Sequence, residues 1–296
     1  MTTTVLLYLA TVFVWGTSWY AIKLQVGTDV APEVSVAWRF ALAALCQFAW
    51  ALAVHRPLRM TWAQHRTVMP LAIFLFGANL MLIYYAETKL SSGLVAVTFS
   101  TITVLNIING RLILQTRSTP IIWLSALLGL VGLGIVFRQD LMTLFGSATD
   151  NDALHGILLC LGGVYLASVG NVWAIKVQQA GISIIQANAW GMMYGAVLIF
   201  AVALLRGESL HIALTTPYVG ALIYLTLFAS IGGFSMYLTL LHRIGPERAG
   251  YVAVAFPVVA LAMSAMLENF QITWETVIGG AIVLAGNFLV LRRPKA

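Results

Sequence analysis

Ten stretches of this 296-residue chain contain no Asp, Glu, Lys or Arg: residues 2–22, 40–55, 67–86, 90–110, 118–137, 153–175, 177–205, 209–242, 249–267 and 276–291. A helix rising about 1.5 Å per residue needs about 20 apolar residues to cross the hydrocarbon of a bilayer. Most windows reach that length, and the two short ones extend past a charge at their ends. Only 9% of residues are charged and 60% are hydrophobic, whereas an ordinary soluble domain carries about 25% charge. So little charge could not cover two water-soluble domains. The expectation is an all-α polytopic membrane protein. Its ten transmembrane helices, numbered in chain order, should lie near 3–22, 34–54, 68–86, 91–111, 119–138, 155–176, 183–205, 216–241, 246–267 and 273–291. Helix 1 lacks a basic leader region and a small-residue cleavage site, so it reads as a retained span.

The formal charge is +6. Membrane proteins hold Lys and Arg on the cytoplasmic side, so this balance calls for a bilayer and for no nucleic acid. Starting helix 1 inside assigns Arg56, Arg59, Arg66, Arg111, Arg117, Lys176, Arg243, Arg248, Arg292, Arg293 and Lys295 to the cytoplasm. Only Lys23, Arg39, Lys89, Arg138 and Arg206 fall outside. Both termini are therefore expected in the cytoplasm. Cys46 and Cys160 lie inside predicted helices and read as small apolar side chains, not as a disulfide or metal pair.

The two halves resemble each other. Ala21-Ile22-Lys23 with Gln25 closes helix 1, and Ala174-Ile175-Lys176 with Gln178 closes helix 6. Gly93-Leu94-Val95-Ala96-Val97 recurs as Gly250-Tyr251-Val252-Ala253-Val254, after which Phe99 matches Phe256. Trp123 and Gly129 match Trp274 and Gly280, and the offset stays within a few residues of 153 throughout. Residues 1–138 then form a first five-helix repeat, 139–154 a connecting loop and 155–296 a second repeat. Five is odd, so the second copy enters the membrane from the opposite side. Two inverted five-helix repeats suit an alternating-access carrier, in which one half rocks against the other around a midplane site.

Trp15-Gly16-Thr17-Ser18, Lys23, Pro32 and Arg39-Phe40 resemble the opening of the EamA branch of the drug/metabolite transporter superfamily. Gly245, Pro257-Val258-Val259-Ala260, Leu267-Glu268, Gly279-Gly280 and Ala285-Gly286 resemble its closing pattern. The first half departs from that pattern, with Ser100 where the repeat has Pro257 and no acid to match Glu268. Within the branch, the whole chain is similar to bacterial aromatic amino-acid exporters of the YddG type. The resemblance implies an inner-membrane exporter of amino acids and related metabolites, aromatic ones favoured. It also implies that helices 5 and 10 are peripheral supports.

No motif of membrane-embedded hydrolysis appears: there is no His-Glu-x-x-His, no Gly-x-Ser-x-Gly, no paired aspartates and no phosphate loop. Catalytic residues, metal ligands and cofactors are therefore not expected. Buried carboxylates mark proton relays, but the middle third of every predicted helix lacks Asp, Glu, Lys, Arg and His. Glu33, Glu87, Glu247 and Glu268 sit at boundaries, where simple solvation is the expectation. The carrier is expected to move solute down its own gradient or by exchange, without a buried proton site. Two roles are open to Arg39: it snorkels to the interface, or it meets a substrate carboxylate or the acids Glu33 and Glu87. Lys23 and Lys176 suit helix C-termini through the dipole.

Trp19, Trp38, Trp50, Trp62, Trp123, Trp173 and Trp274 lie near predicted ends, where belt or packing roles are expected. Trp15, Tyr165, Tyr194, Phe99 and Phe256 lie deeper. Ser18 and Ser168 follow Trp15 and Tyr165 by three positions and share their faces, and Asn79, Thr98 and Thr101 add neutral polar groups. Each polar group could equally glue helices together. Together they describe an aromatic-lined cavity for neutral or zwitterionic small molecules. Pro257 should kink helix 9, while Gly162-Gly163 and Gly232-Gly233 serve as hinges or close-packing sites. One chain with an internal repeat suffices as a monomer. The other readings are a broad exporter of drugs or neutral metabolites, a membrane-embedded lipid-modifying enzyme, and a receptor that binds solute without moving it.

Overall fold

The computed structural model describes residues 2–115, 120–138, 152–237, 239, 240, 243 and 251–291. These residues are helical throughout apart from short turns and loops: α1 (Thr2–Val26), α2 (Pro32–Ala53), α3 (Trp62–Glu87), α4 (Ser92–Leu114), α5 (Pro120–Val136), α6 (Asp152–Gln179), α7 (Ile184–Leu205), α8 (Thr216–Tyr237), α9 (Val252–Leu267) and α10 (Trp274–Leu291). Seven of them, α1–α4 and α6–α8, are long and apolar enough to cross a membrane, and three shorter apolar helices accompany them. Most of the expected connecting loop and the beginning of expected helix 9, with Gly245, Glu247, Arg248 and Gly250, lie outside the described residues. So do Arg117, Arg292, Arg293 and Lys295.

The helices begin where side chains satisfy their free N–H groups. Thr61 and Gln64 form a reciprocal capping box at α3, and Ser183 and Gln186 form another at α7. Ser91 accepts from the Leu94 N–H at α4, and Thr215 from the Tyr218 N–H at α8. Pro32 opens α2, where its missing N–H costs nothing. Large apolar side chains such as Leu6, Leu9, Phe13, Leu127 and Leu130 face outward. A multi-pass membrane protein presents such a surface to lipid, whereas a soluble one would bury it.

Two irregularities break the regular hydrogen-bond ladder, and neither is legible from hydropathy. Residues Ala72–Ala78 of α3 and Leu225–Gly232 of α8 wind as π-helix, a wider turn that occurs at functional sites. The two π segments begin 153 residues apart. The second irregularity is in α4, which stops at Phe99 and restarts at Ile102. There Ser100 Oγ and Thr101 Oγ1 donate to the carbonyls of Val97 and Thr98, competing with the ladder. Asn287 of α10 donates Nδ2 to the Ser100 carbonyl at 2.9 Å and so satisfies the gap.

Packing follows a regular scheme. α2 lies along α7, α5 along α10 and α4 against α9; α1 meets α8 and α9, and α6 meets α3 and α4. Replacing each helix by the one five places away returns the same scheme. Glycines permit the closest approaches. A Cβ on Gly132 would stand 2.6 Å from the Gly279 carbonyl oxygen, and one on Gly16 would stand 2.5 Å from Val259 Cβ. The α1–α2, α3–α4, α7–α8 and α9–α10 connections gather at one end of the bundle. The α2–α3 and α6–α7 connections lie at the other.

Candidate functional site

At the first of these ends the last turns of α1 and α3 meet the first turns of α2, and the polar side chains there are buried. Glu33 and Glu87 are both 0% exposed. This overturns the expectation that boundary acids are simply solvated: neighbouring helix ends and turns cover them. Glu33 is compensated, since Arg206 Nε lies 3.3 Å from one carboxylate oxygen and the Tyr85 hydroxyl donates to the other at 2.5 Å. Lys23 donates Nζ to the backbone carbonyls of Glu87 (2.6 Å) and Leu90 (3.0 Å). Glu268 accepts from the Ser92 N–H at 3.0 Å and from its hydroxyl.

Arg39 does not snorkel. It is 5% exposed, donates Nε to Ser230 Oγ at 3.0 Å, and holds its guanidinium 5.3 Å from the centre of the Phe40 ring. Neither Glu33 nor Glu87 comes within ion-pair distance of it. The Tyr84 hydroxyl donates to Gln25 Oε1 at 2.8 Å. Around this hydroxyl four buried atoms lack a hydrogen-bond partner among the described residues: Gln25 Nε2, Arg39 Nη1, and both carboxylate oxygens of Glu87. Buried polar atoms are nearly always bonded in native proteins, so each such orphan calls for a physical reason.

A run of packed aromatic rings leads from Phe40, beside Arg39, to Phe76, Phe234 and Trp15. Trp15 donates Nε1 to the carbonyl of Ala229 in the α8 π segment at 3.2 Å and packs against Phe234 and Tyr237, with ring centres 5.7 and 5.1 Å away. Gly233 makes room for it: a Cβ there would sit 2.3 Å from Trp15 Nε1. Phe76 of the other π segment links Phe234 to Phe40 at 5.5 Å on each side. One turn along α1, Trp19 stacks on Phe256 (5.8 Å) and tilts against Phe99 (5.1 Å), with its own Nε1 buried and unpartnered among the described residues.

The other sequence-derived candidates divide. Ser18, Thr98 and Thr101 donate to carbonyls of their own helices. Ser168 accepts from Asn109 Nδ2 at 2.9 Å and ties α6 to α4. Asn79, at the end of the α3 π segment, keeps an unpartnered buried Oδ1. Tyr194 shares a 2.8 Å hydrogen bond with His65 near the opposite end. Tyr165 is 49% exposed and faces outward, away from Ser168 and the aromatic lining. Pro257 is buried within α9. Gly163 lets α6 approach the Asn79 carbonyl, where a Cβ would come to 2.9 Å, and Gly162 faces Leu82. Gly232 ends the α8 π segment beside Gly233.

Sequence reasoning did not single out Gln25, Tyr84 or Ser230, and it assigned Trp19 to belt or packing roles. One signal was available. Glu33, Arg39, Tyr84 and Glu87 lie on consecutive helices close to the ends that short connections must bring together, so packing buries them as a group. Chemically, the cluster offers two donor groups and one carboxylate beside apolar ring faces.

The comparisons with known proteins agree on one class. YoaV, an uncharacterized transporter of Bacillus subtilis, is 24% identical over 277 residues, covering 93% of this chain and 92% of that protein. A Salmonella typhimurium protein named "Probable amino-acid metabolite efflux pump" is 22% identical over 291 residues, 96% of this chain and 93% of its own length. One solved crystal structure shares the fold at a TM-score of 0.66 and 15% identity, covering 98% of this chain and 96% of that one. The EamA-like transporter family matches residues 2–138 and 153–292, and the chain therefore belongs to the EamA-like transporter family.

Proposed function

We propose that this protein is an alternating-access carrier that exports amino acids and related metabolites, aromatic amino acids above others, across the bacterial inner membrane. The observation that carries the reading is a run of ring contacts from Trp15 through Phe234 and Phe76 to Phe40, which reaches Arg39 in a cluster of buried polar groups with open hydrogen-bonding atoms among the described residues. A molecule with an apolar ring and a zwitterionic end meets both needs, and a sugar phosphate meets neither. A relative named as an amino-acid metabolite efflux pump supports the same solute class.

Two inverted five-helix repeats supply the alternation. The pairing scheme that repeats every five helices, the π segments at matching positions and a family match in each half support that architecture. The excess of Lys and Arg on one side of the bundle supports cytoplasmic termini. One chain holds both repeats and works as a monomer without a cofactor. Acids and histidines are absent from the central turns of the described helices, so transport runs downhill or by exchange with no carboxylate chain across the membrane.

The test is flux of radiolabelled tryptophan or phenylalanine in liposomes containing only this protein. Saturable flux that depends on the protein and is indifferent to an imposed pH gradient is the expected result. Uphill flux driven by protons would remove the coupling statement. Absence of amino-acid flux with folded protein would remove the solute class and favour a drug or neutral-metabolite exporter.

A further inference from the structure

We infer that Arg39, Gln25 and Glu87 form a subsite that grips both charged ends of a zwitterion, the carboxylate at Arg39 and Gln25 and the ammonium at Glu87. The inference rests on the proposed transport of amino acids and assigns recognition of the part they all share to one cluster.

Three helices contribute one side chain each, and all three are buried: Gln25 on α1 and Glu87 on α3 at 0% exposure, Arg39 on α2 at 5%. On these three side chains, Gln25 Nε2, Arg39 Nη1 and both Glu87 carboxyl oxygens have no hydrogen-bond partner among the described residues. The Tyr84 hydroxyl, one helical turn before Glu87 on α3, is bonded to Gln25 Oε1 at 2.8 Å. Arg39 and Glu87 are not within ion-pair distance of each other. Buried polar side chains with open hydrogen-bonding atoms are unfavourable, so this arrangement gains most from a ligand that brings a negative group to Arg39 and Gln25 and a positive group to Glu87.

The surrounding charges are already committed. Lys23 holds two backbone carbonyls, Glu268 is bonded to Ser92, and Glu33 is paired with Arg206 and Tyr85. The charged groups nearest Glu87 from the elements packed around it are Lys23 of α1, Arg39 of α2 and Glu268 at the end of α9, while the buried Cys160 thiol of α6 donates to the Val95 carbonyl. Arg39 is held at Nε by Ser230 of the α8 π segment, so its orientation is fixed while Nη1 stays open. The orphaned atoms are closed off from solvent, and the ligand is admitted when the helix ends part. The apolar remainder of the ligand then lies towards Trp19, Phe99 and Phe256.

The experiment is competition against radiolabelled tryptophan uptake in liposomes, using tryptophan, tryptamine (no carboxylate) and indole-3-propionate (no ammonium). Wild-type protein should prefer tryptophan over either analogue by at least about tenfold, as sites with unmatched buried polar groups do. Arg39→Gln should lose the preference over tryptamine and Glu87→Gln the preference over indole-3-propionate, each keeping the other preference. Equal competition by all three in wild-type protein overturns the inference whether or not the variants fold. Folded variants that keep both preferences overturn it too. If wild-type protein moves no tryptophan at all, the transport reading fails and takes this inference with it, a result distinct from flux without discrimination.

Discussion

The two ends of the bundle carry side chains at positions 153 residues apart in the chain, yet they are closed by different chemistry. Positions 153 residues apart carry Glu33 and Gln186, Arg39 and Met192, Lys23 and Lys176. At one end Glu33 is fully buried and paired with Arg206, Lys23 holds two carbonyls, and Arg39 is buried against the α8 π segment. At the other end neutral donors tie loops to helices. Gln186 Nε2 reaches the Arg59 carbonyl at 3.1 Å, Trp190 Nε1 the Leu58 carbonyl at 2.9 Å, and Trp173 Nε1 the Thr67 carbonyl at 2.9 Å. Lys176 lies over the Trp173 ring at 4.6 Å. A pairing scheme that repeats every five helices therefore does not make the two ends energetically equal. Charged groups without water are costly to separate unpaired, while neutral hydrogen bonds exchange with water at a small net cost.

The comparison is broken most severely by unpairing Glu33. Arg206→Ala leaves a fully buried carboxylate with Tyr85 alone and should lower stability by about 2–3 kcal/mol, less than for a fully buried pair because the Arg206 side chain is half-exposed. Gln186→Ala, 153 residues after Glu33, should cost about 1 kcal/mol through its lost cap and one hydrogen bond. Unfolding midpoints of the two variants in one detergent decide this, and equal shifts would erase the distinction between the ends. Next in size are the lysines: Lys23→Met should cost about 1.5–3 kcal/mol for two charged hydrogen bonds, whereas Lys176→Met removes a cation–π attraction worth about 0.5–1 kcal/mol. Trp190→Phe keeps the ring and loses one neutral bond, a shift of about 0.5–1.5 kcal/mol that stays below that of Lys23→Met. A larger shift there than in Lys23→Met would reverse the order.

Much of the fold is legible in the sequence because a bilayer leaves few options. The expected spans 34–54 and 183–205 correspond to Pro32–Ala53 and Ile184–Leu205. α3 begins earlier than hydropathy suggests, since the Thr61–Gln64 box starts the helix in a polar segment ahead of the apolar window. The site is less legible. A helix that is apolar on every face carries no signal for which side is inward, and so Tyr165 faces out while Ser168 three residues on is buried. Burial of Glu33 and Glu87 depends on which helix ends meet, a tertiary fact. The break in α4 arises from Ser100 and Thr101 bonding to their own helix, with Asn287 far along the chain completing it. The hydroxyl residues are visible in the sequence, and their partner is not.

The claim that the two ends open in turn is tested most directly by spin-label distances in a Cys46-free background. One label pair, Thr88→Cys with Ser209→Cys, spans the charged end; the other, Arg56→Cys with Gln179→Cys, spans the neutral end, all at exposed positions. Adding tryptophan should lengthen one distance distribution and shorten the other within the same preparation. Distances that change together, or that do not respond to a solute the protein transports, would contradict alternation between the ends.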